Sequence, residues 1–142
     1  MKIDASSYPE MRAWFALVTP RIFPNLPADI DPVAVLERTE AISMARARKG
    51  LSLAIGDIIE LTSRWSVSEM ASIDAELTDA GLPTLSTIRL RFSKAVGSII
   101  RRGRIRNEAE YYLVRNAADV DAERRELLFG LLDTWEASLT DP

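Results

Sequence analysis

The sequence predicts an all-α protein, an irregular bundle of about six helices preceded by an extended Pro-rich N-terminal segment. Three observations carry that prediction. Apolar residues recur at steps of three and four along most of residues 31–139. Capping residues, prolines and glycines punctuate those runs where helices begin and end. No stretch shows the sustained alternation of apolar and polar residues that a half-buried strand requires. The chain has 142 residues, 47% of them hydrophobic and 27% charged, the balance of an ordinary globular domain. One domain, 1–142, is therefore expected, with a wrap over 1–30 and a helical core over 31–139.

The wrap follows from Pro9, Pro20, Pro24 and Pro27, which confine regular structure to a short helix around Glu10–Val18 offering Trp14, Phe15 and Leu17 to the core. At Ile30-Asp31-Pro32 three start signals coincide. Asp31 can cap the amides, Pro32 suits the first helical position and Ile30 can staple onto Val35. The helix so begun is predicted to reach Lys49, with Val35, Leu36, Ile42 and Met44 or Ala45 inside and Gly50 ending it. Arg46, Arg48 and Lys49 would then stand in its last turn, at the negative end of the helix dipole.

A second long helix is predicted from Leu51 or Ser52 to about Ser63, central in the core because Leu51, Ile55, Ile58, Ile59 and Leu61 cover more than one stripe. Asp57 on this helix would need a partner if buried, with Arg64 or Arg38 as candidates. Ser66 caps the next helix, which runs to Ala80 and stops at Gly81-Leu82-Pro83. Leu85 to Arg102 reads as one helix, with Leu85, Ile88, Phe92, Ala95, Val96 and Ile99 on one face and Gly103 closing it. Asn107 and Glu110 form a capping box for a helix to about Ala118, although Tyr111-Tyr112-Leu113-Val114 also has the propensity of a β-wing. The last helix, Asp121 to Leu139, carries Leu127, Leu128, Leu131, Leu132, Trp135 and Leu139 on a broad apolar face, fit for a core or a partner. The count is six or seven helices.

Composition removes much chemistry. The chain holds no cysteine and no histidine, so disulfides, thiolate nucleophiles, Ser-His-Asp sites and His or Cys metal sites are all excluded. The carboxylate pairs Asp29/Asp31, Asp57/Glu60 and Asp119/Asp121 have ordinary explanations in capping and surface charge, and no glycine-rich phosphate loop accompanies them. A non-enzymatic protein without cofactor or metal is the expectation. No apolar run is long enough for a secretory signal or a membrane span, which gives a cytoplasmic protein with no membrane partner.

What remains is a segregation of charge. Residues 84–107 contain seven basic side chains and no acid, in a chain whose net charge is −3. On the wheel of the predicted helix Leu85–Arg102, Lys94 and Arg101 lie opposite the apolar stripe, with Arg91 and Arg102 on its flank, and Arg104 and Arg106 continue the charge beyond Gly103. Arg89 falls on the other flank. Arg91, Lys94, Arg101, Arg102, Arg104 and Arg106 are therefore the candidate contact residues, for a protein partner or self-association first. The alternative partner is nucleic acid: the helix before Gly81 and the basic helix after it form a helix-turn-helix-like succession. A bland reading competes with both, in which the stripe is solvated or pairs with acids such as Glu108 and Glu110.

Overall fold

The computed structural model describes residues 3–140. Met1 and Lys2, with which the predicted wrap begins, and Asp141 and Pro142 lie outside the described residues. Among the described residues there are eight helices and no strand: α1 (Tyr8–Ile22), α2 (Pro32–Ile42), α3 (Met44–Leu61), α4 (Val67–Asp79), α5 (Leu85–Arg91), α6 (Lys94–Arg102), α7 (Glu108–Val120) and α8 (Arg125–Thr140). The predicted all-α class is thus observed, and Tyr111–Val114 is helical rather than a wing. The chain divides into two compact units, Met1–Ser86 and Thr87–Pro142, the division falling within α5.

In the first unit α1 packs against α2, α3 and α4, and α2 packs against α3. Trp14, Met11 and Val18 of α1, Leu51 and Ile55 of α3 and Leu77 of α4 are fully buried. The N-terminal helix is longer than its prolines suggested. It begins at Tyr8, two residues before the predicted start, and runs through Pro20 to Ile22. Asp4 prepares that start: its carboxylate accepts the Ser6 and Ser7 amides, each at 2.9 Å. Pro20 forfeits one i→i−4 bond and crowds the preceding turn, a loss confined to the last turn of α1.

The predicted helix 31–49 ends early. Asp31 caps α2 as expected, accepting the Ala34 amide at 3.1 Å, but the chain turns extended at Ser43 (φ −161°, ψ 118°) and restarts as α3. The Ser43 hydroxyl accepts the Arg46 amide at 3.2 Å, a cap that makes the break cheap. Three expectations fall with it. Gly50 lies inside α3 and ends nothing. Arg46, Arg48 and Lys49 stand in the first two turns of α3, at the positive end of the dipole. Val35 and Ile42, expected inside, are exposed, and of α2 only Leu36 is buried.

One stripe of α3 is covered, Ala47, Leu51, Ile55 and Ile58, whereas Leu61 faces solvent and Asp57 is exposed, so no partner for Asp57 is required. Ser66 and Glu69 form a full capping box at the start of α4. Gly81 (φ 72°) supplies the left-handed residue after it. Asp74 then reaches forward from α4 to organise the next start, its carboxylate accepting the Leu85 amide at 2.8 Å and the Ser86 hydroxyl at 2.7 Å.

The predicted helix 85–102 is broken as well. Ser93 is extended (φ −64°, ψ 121°) and its hydroxyl accepts the Val96 amide at 3.2 Å, so α5 is only seven residues long and α6 begins anew at Lys94. No single helix carries the basic stripe. In the second unit, α6 and α8 pack on α7, enclosing Val96, Ile99, Ile105, Val114, Ala117, Ala118, Leu128, Leu131 and Leu132. Helix α8 starts at Arg125, four residues later than predicted, because Asp121 serves the preceding turn: buried, it accepts the Arg124 amide at 3.2 Å and pairs with the Arg124 guanidinium at 2.5 Å. Among the described residues no helix is long and apolar enough to cross a membrane.

Candidate functional site

The six candidate residues divide into three held by the fold and three that face outward. Arg91 is half-buried beside the α7–α8 turn, its Nε 3.4 Å from the Val120 carbonyl and its own carbonyl accepting from Arg124 Nη2 at 3.2 Å. Arg102 is folded back. Its guanidinium donates to the Arg104 carbonyl from Nε at 3.2 Å and from Nη2 at 2.9 Å, and it pairs with Glu110. Arg106 is bound mainly through its backbone: its amide donates to Glu110 Oε1 at 2.8 Å, while its guanidinium, more than half exposed, lies 3.7 Å from Glu110 Oε2.

Glu110 is the organiser of this corner. Asn107 caps α7, accepting the Glu110 amide at 2.9 Å. The predicted reciprocal bond from Glu110 to the Asn107 amide is replaced by one to the Arg106 amide, a residue earlier. That bond, and then the charges of Arg102 and Arg106, hold the Glu110 carboxyl below the usual carboxylate range. The loop after Gly103 (φ 83°) is thereby fixed with Ile105 turned inward and buried, and Arg104 and Arg106 exposed on either side. The charge displayed here is a product of the latch behind it.

Lys94, Arg101 and Arg104 are exposed and make no ion pair among the described residues. Lys94, Ser98 and Arg101 lie along one outer face of α6, with Arg101 Nη2 donating to the Ser98 hydroxyl at 3.2 Å. Of the two forms of the bland alternative, acid pairing is seen at Arg102 and Arg106, while Lys94, Arg101 and Arg104 have the exposure of a solvated face. The helix-turn-helix reading loses its recognition helix: α5 spans two turns, and Lys94, Arg101 and Arg102 belong to the separate α6.

Sequence reasoning missed a groove. Residues 104–106 and, from α8, Leu131, Thr134, Trp135 and Ser138 line an open cleft of about 520 Å³ whose floor is the buried Ile105 and Leu131; the Thr134 and Ser138 hydroxyls donate to carbonyls of their own helix. Residues 131, 134, 135 and 138 share one face of α8, and among the described residues no carboxylate lines the cleft. The available signal was Trp135 on the edge of the α8 apolar face, within the element predicted to serve a core or a partner. Of that face, Leu128, Leu131 and Leu132 are buried, while Leu127 and Leu139 stay in solvent. Tyr111 packs on the core and donates its hydroxyl to Glu136 at 2.6 Å, which pushes its ionisation up.

No family model matches the chain, and neither a curated protein nor a solved structure matches it.

Proposed function

We propose that this chain is a non-enzymatic binding module that engages a protein partner, or a second copy of itself, through the basic surface of its second unit. The observation that carries the reading is the division just described: Glu110 fixes Arg102 and the Arg106 backbone, and Lys94, Arg101 and Arg104 face outward with no ion pair among the described residues. Exposed guanidinium groups beside an aromatic side chain are the composition of protein contact surfaces. The absence of histidine and cysteine supports a role without catalysis, and the absence of cysteine fits a cytoplasmic setting.

The test is a combined Lys94→Glu, Arg101→Glu, Arg104→Glu variant compared with the parent by sedimentation velocity and by affinity capture at low and high salt. The proposal expects a complex or self-association that the variant loses, with an Arg46→Glu, Lys49→Glu control behaving as the parent. A second reading, nucleic-acid binding, is favoured by the outward face Lys94-Ser98-Arg101 of α6. It predicts instead that a labelled oligonucleotide binds with an affinity falling steeply with salt and is released by the same substitutions.

A further inference from the structure

The cleft beside Arg104 has a chemistry specific enough to say what enters it. Arg104 and Arg106 line it, the buried Ile105 and Leu131 form an apolar floor, Trp135 borders it, and among the described residues no acid lines it. Arg104 brings a guanidinium with no side-chain partner among the described residues; Arg106 brings one held only loosely, 3.7 Å from Glu110. Trp135 offers a rigid aromatic face that the core leaves partly uncovered. An occupant complementary to this lining places carboxylates against the arginines and an apolar or aromatic side chain between Trp135 and Leu131.

We infer that this cleft binds a short acidic peptide segment of a partner protein, with an aromatic residue flanked by carboxylates as its anchor. The inference rests on the protein-binding reading above and deepens it. Charge favours a compact acidic segment over a nucleic acid. A phosphate backbone carries its charge past the two arginines and over a chain whose net charge is −3. A peptide whose acids are confined to Arg104 and Arg106 extends less charge over the rest of the chain. Bidentate pairing with each guanidinium would fix its register, and the anchor would supply most of the affinity.

The experiment is a fluorescence-anisotropy titration of the full chain with a labelled peptide bearing a Glu-Phe-Glu core in a Gly-Ser background. Two control peptides carry Gln-Phe-Gln and Glu-Ala-Glu. The expected result is saturable binding of the first peptide and at least about tenfold weaker binding of each control. Arg104→Glu should weaken binding of the Glu-Phe-Glu peptide by a similar factor. The Arg104 side chain is exposed and has no partner among the described residues, so the variant should keep the parent's thermal transition. Ser138→Glu, which places a carboxylate at the exposed edge of the cleft, should act the same way and guards against a folding artefact in the first variant.

Equal binding of the Gln-Phe-Gln peptide, or unchanged binding by both variants, would overturn the inference. If no peptide binds while sedimentation shows self-association that Arg104→Glu abolishes, the occupant is a second copy; the peptide inference then falls and the protein-binding reading stands. If a labelled oligonucleotide binds and Arg104→Glu releases it, both fall.

Discussion

At the scale of single residues, the basic segment is defined by what Glu110 does to it. One carboxylate accepts the Arg106 amide, neutralises Arg102 and stands near the Arg106 guanidinium, and the loop between α6 and α7 takes its shape from those contacts. Because the Glu110 carboxyl is held below its ordinary range, its contribution to stability is fully present above the pH at which an unfolded glutamate ionises, and is lost as pH falls through the lower folded value. Glu110→Gln should therefore lower the melting temperature near neutrality and flatten the acid limb of a stability-versus-pH curve, measured by calorimetry. A parent-like acid limb in the variant would remove Glu110 from the account. Glu40 behaves alike in the first unit: Arg12 binds its carboxylate at 2.8 and 3.1 Å and Tyr8 donates to it at 2.6 Å, holding it below the carboxylate range. Burial first, and that bond second, push Tyr8 up to about 12, so no tyrosinate should appear at residue 8 in an ultraviolet titration below pH 10. The sequence offered Glu110 as a cap partner of Asn107 and as one acid that could pair with the stripe, but not which arginine it would hold. The pairing of Glu110 with Arg102 depends on how the loop after Gly103 turns back, and spacing along the chain does not encode that.

At the scale of helices, two serines decide where the sequence reading holds. Where a cap coincides with a change of pattern, as at Asp31, Ser66 and Asn107, the predicted start is the observed one. Ser43 and Ser93 lie within continuous apolar periodicity, and there the reading merged or misplaced helices. A helix propagates through a serine at little cost, so only tertiary packing selects the extended, capping conformation over the helical one. Each cap accepts one amide, Arg46 or Val96, at 3.2 Å. Ser43→Ala and Ser93→Ala should each destabilise the protein by about 1 kcal/mol in urea denaturation, with helix content unchanged by circular dichroism. Stability equal to the parent would mean that the breaks are imposed by packing alone. The break at Ser93 has the larger consequence for function, since it separates Arg91 from Lys94 and Arg101 and replaces a continuous stripe by a short face on α6 and a cleft beyond it.

At the scale of the whole molecule, the class of fold was legible because it rests on periodicity and composition, both local properties. The candidate surface was legible only in part. Its charge could be counted from Thr84 to Asn107, but its partner across the cleft, Trp135 on α8, is some thirty residues away in sequence. The second unit depends on Leu128, fully buried where α7 and α8 meet; Leu128→Ala should cost about 2–5 kcal/mol of stability in the same urea experiment. Among the described residues the side chains changed in Lys94→Glu, Arg101→Glu and Arg104→Glu are exposed and make one hydrogen bond, Arg101 to Ser98, so the substitutions report on binding with little effect on folding. The most direct test of the central claim, that this basic surface contacts protein rather than nucleic acid, is one anisotropy titration run in parallel. The labelled Glu-Phe-Glu peptide and a labelled mixed-sequence oligonucleotide are each titrated with the parent chain and with the triple variant at two salt concentrations. The account predicts that the peptide binds the parent, that the variant loses it, and that the oligonucleotide shows no saturable binding to either. Salt-sensitive binding of the oligonucleotide to the parent alone would contradict it.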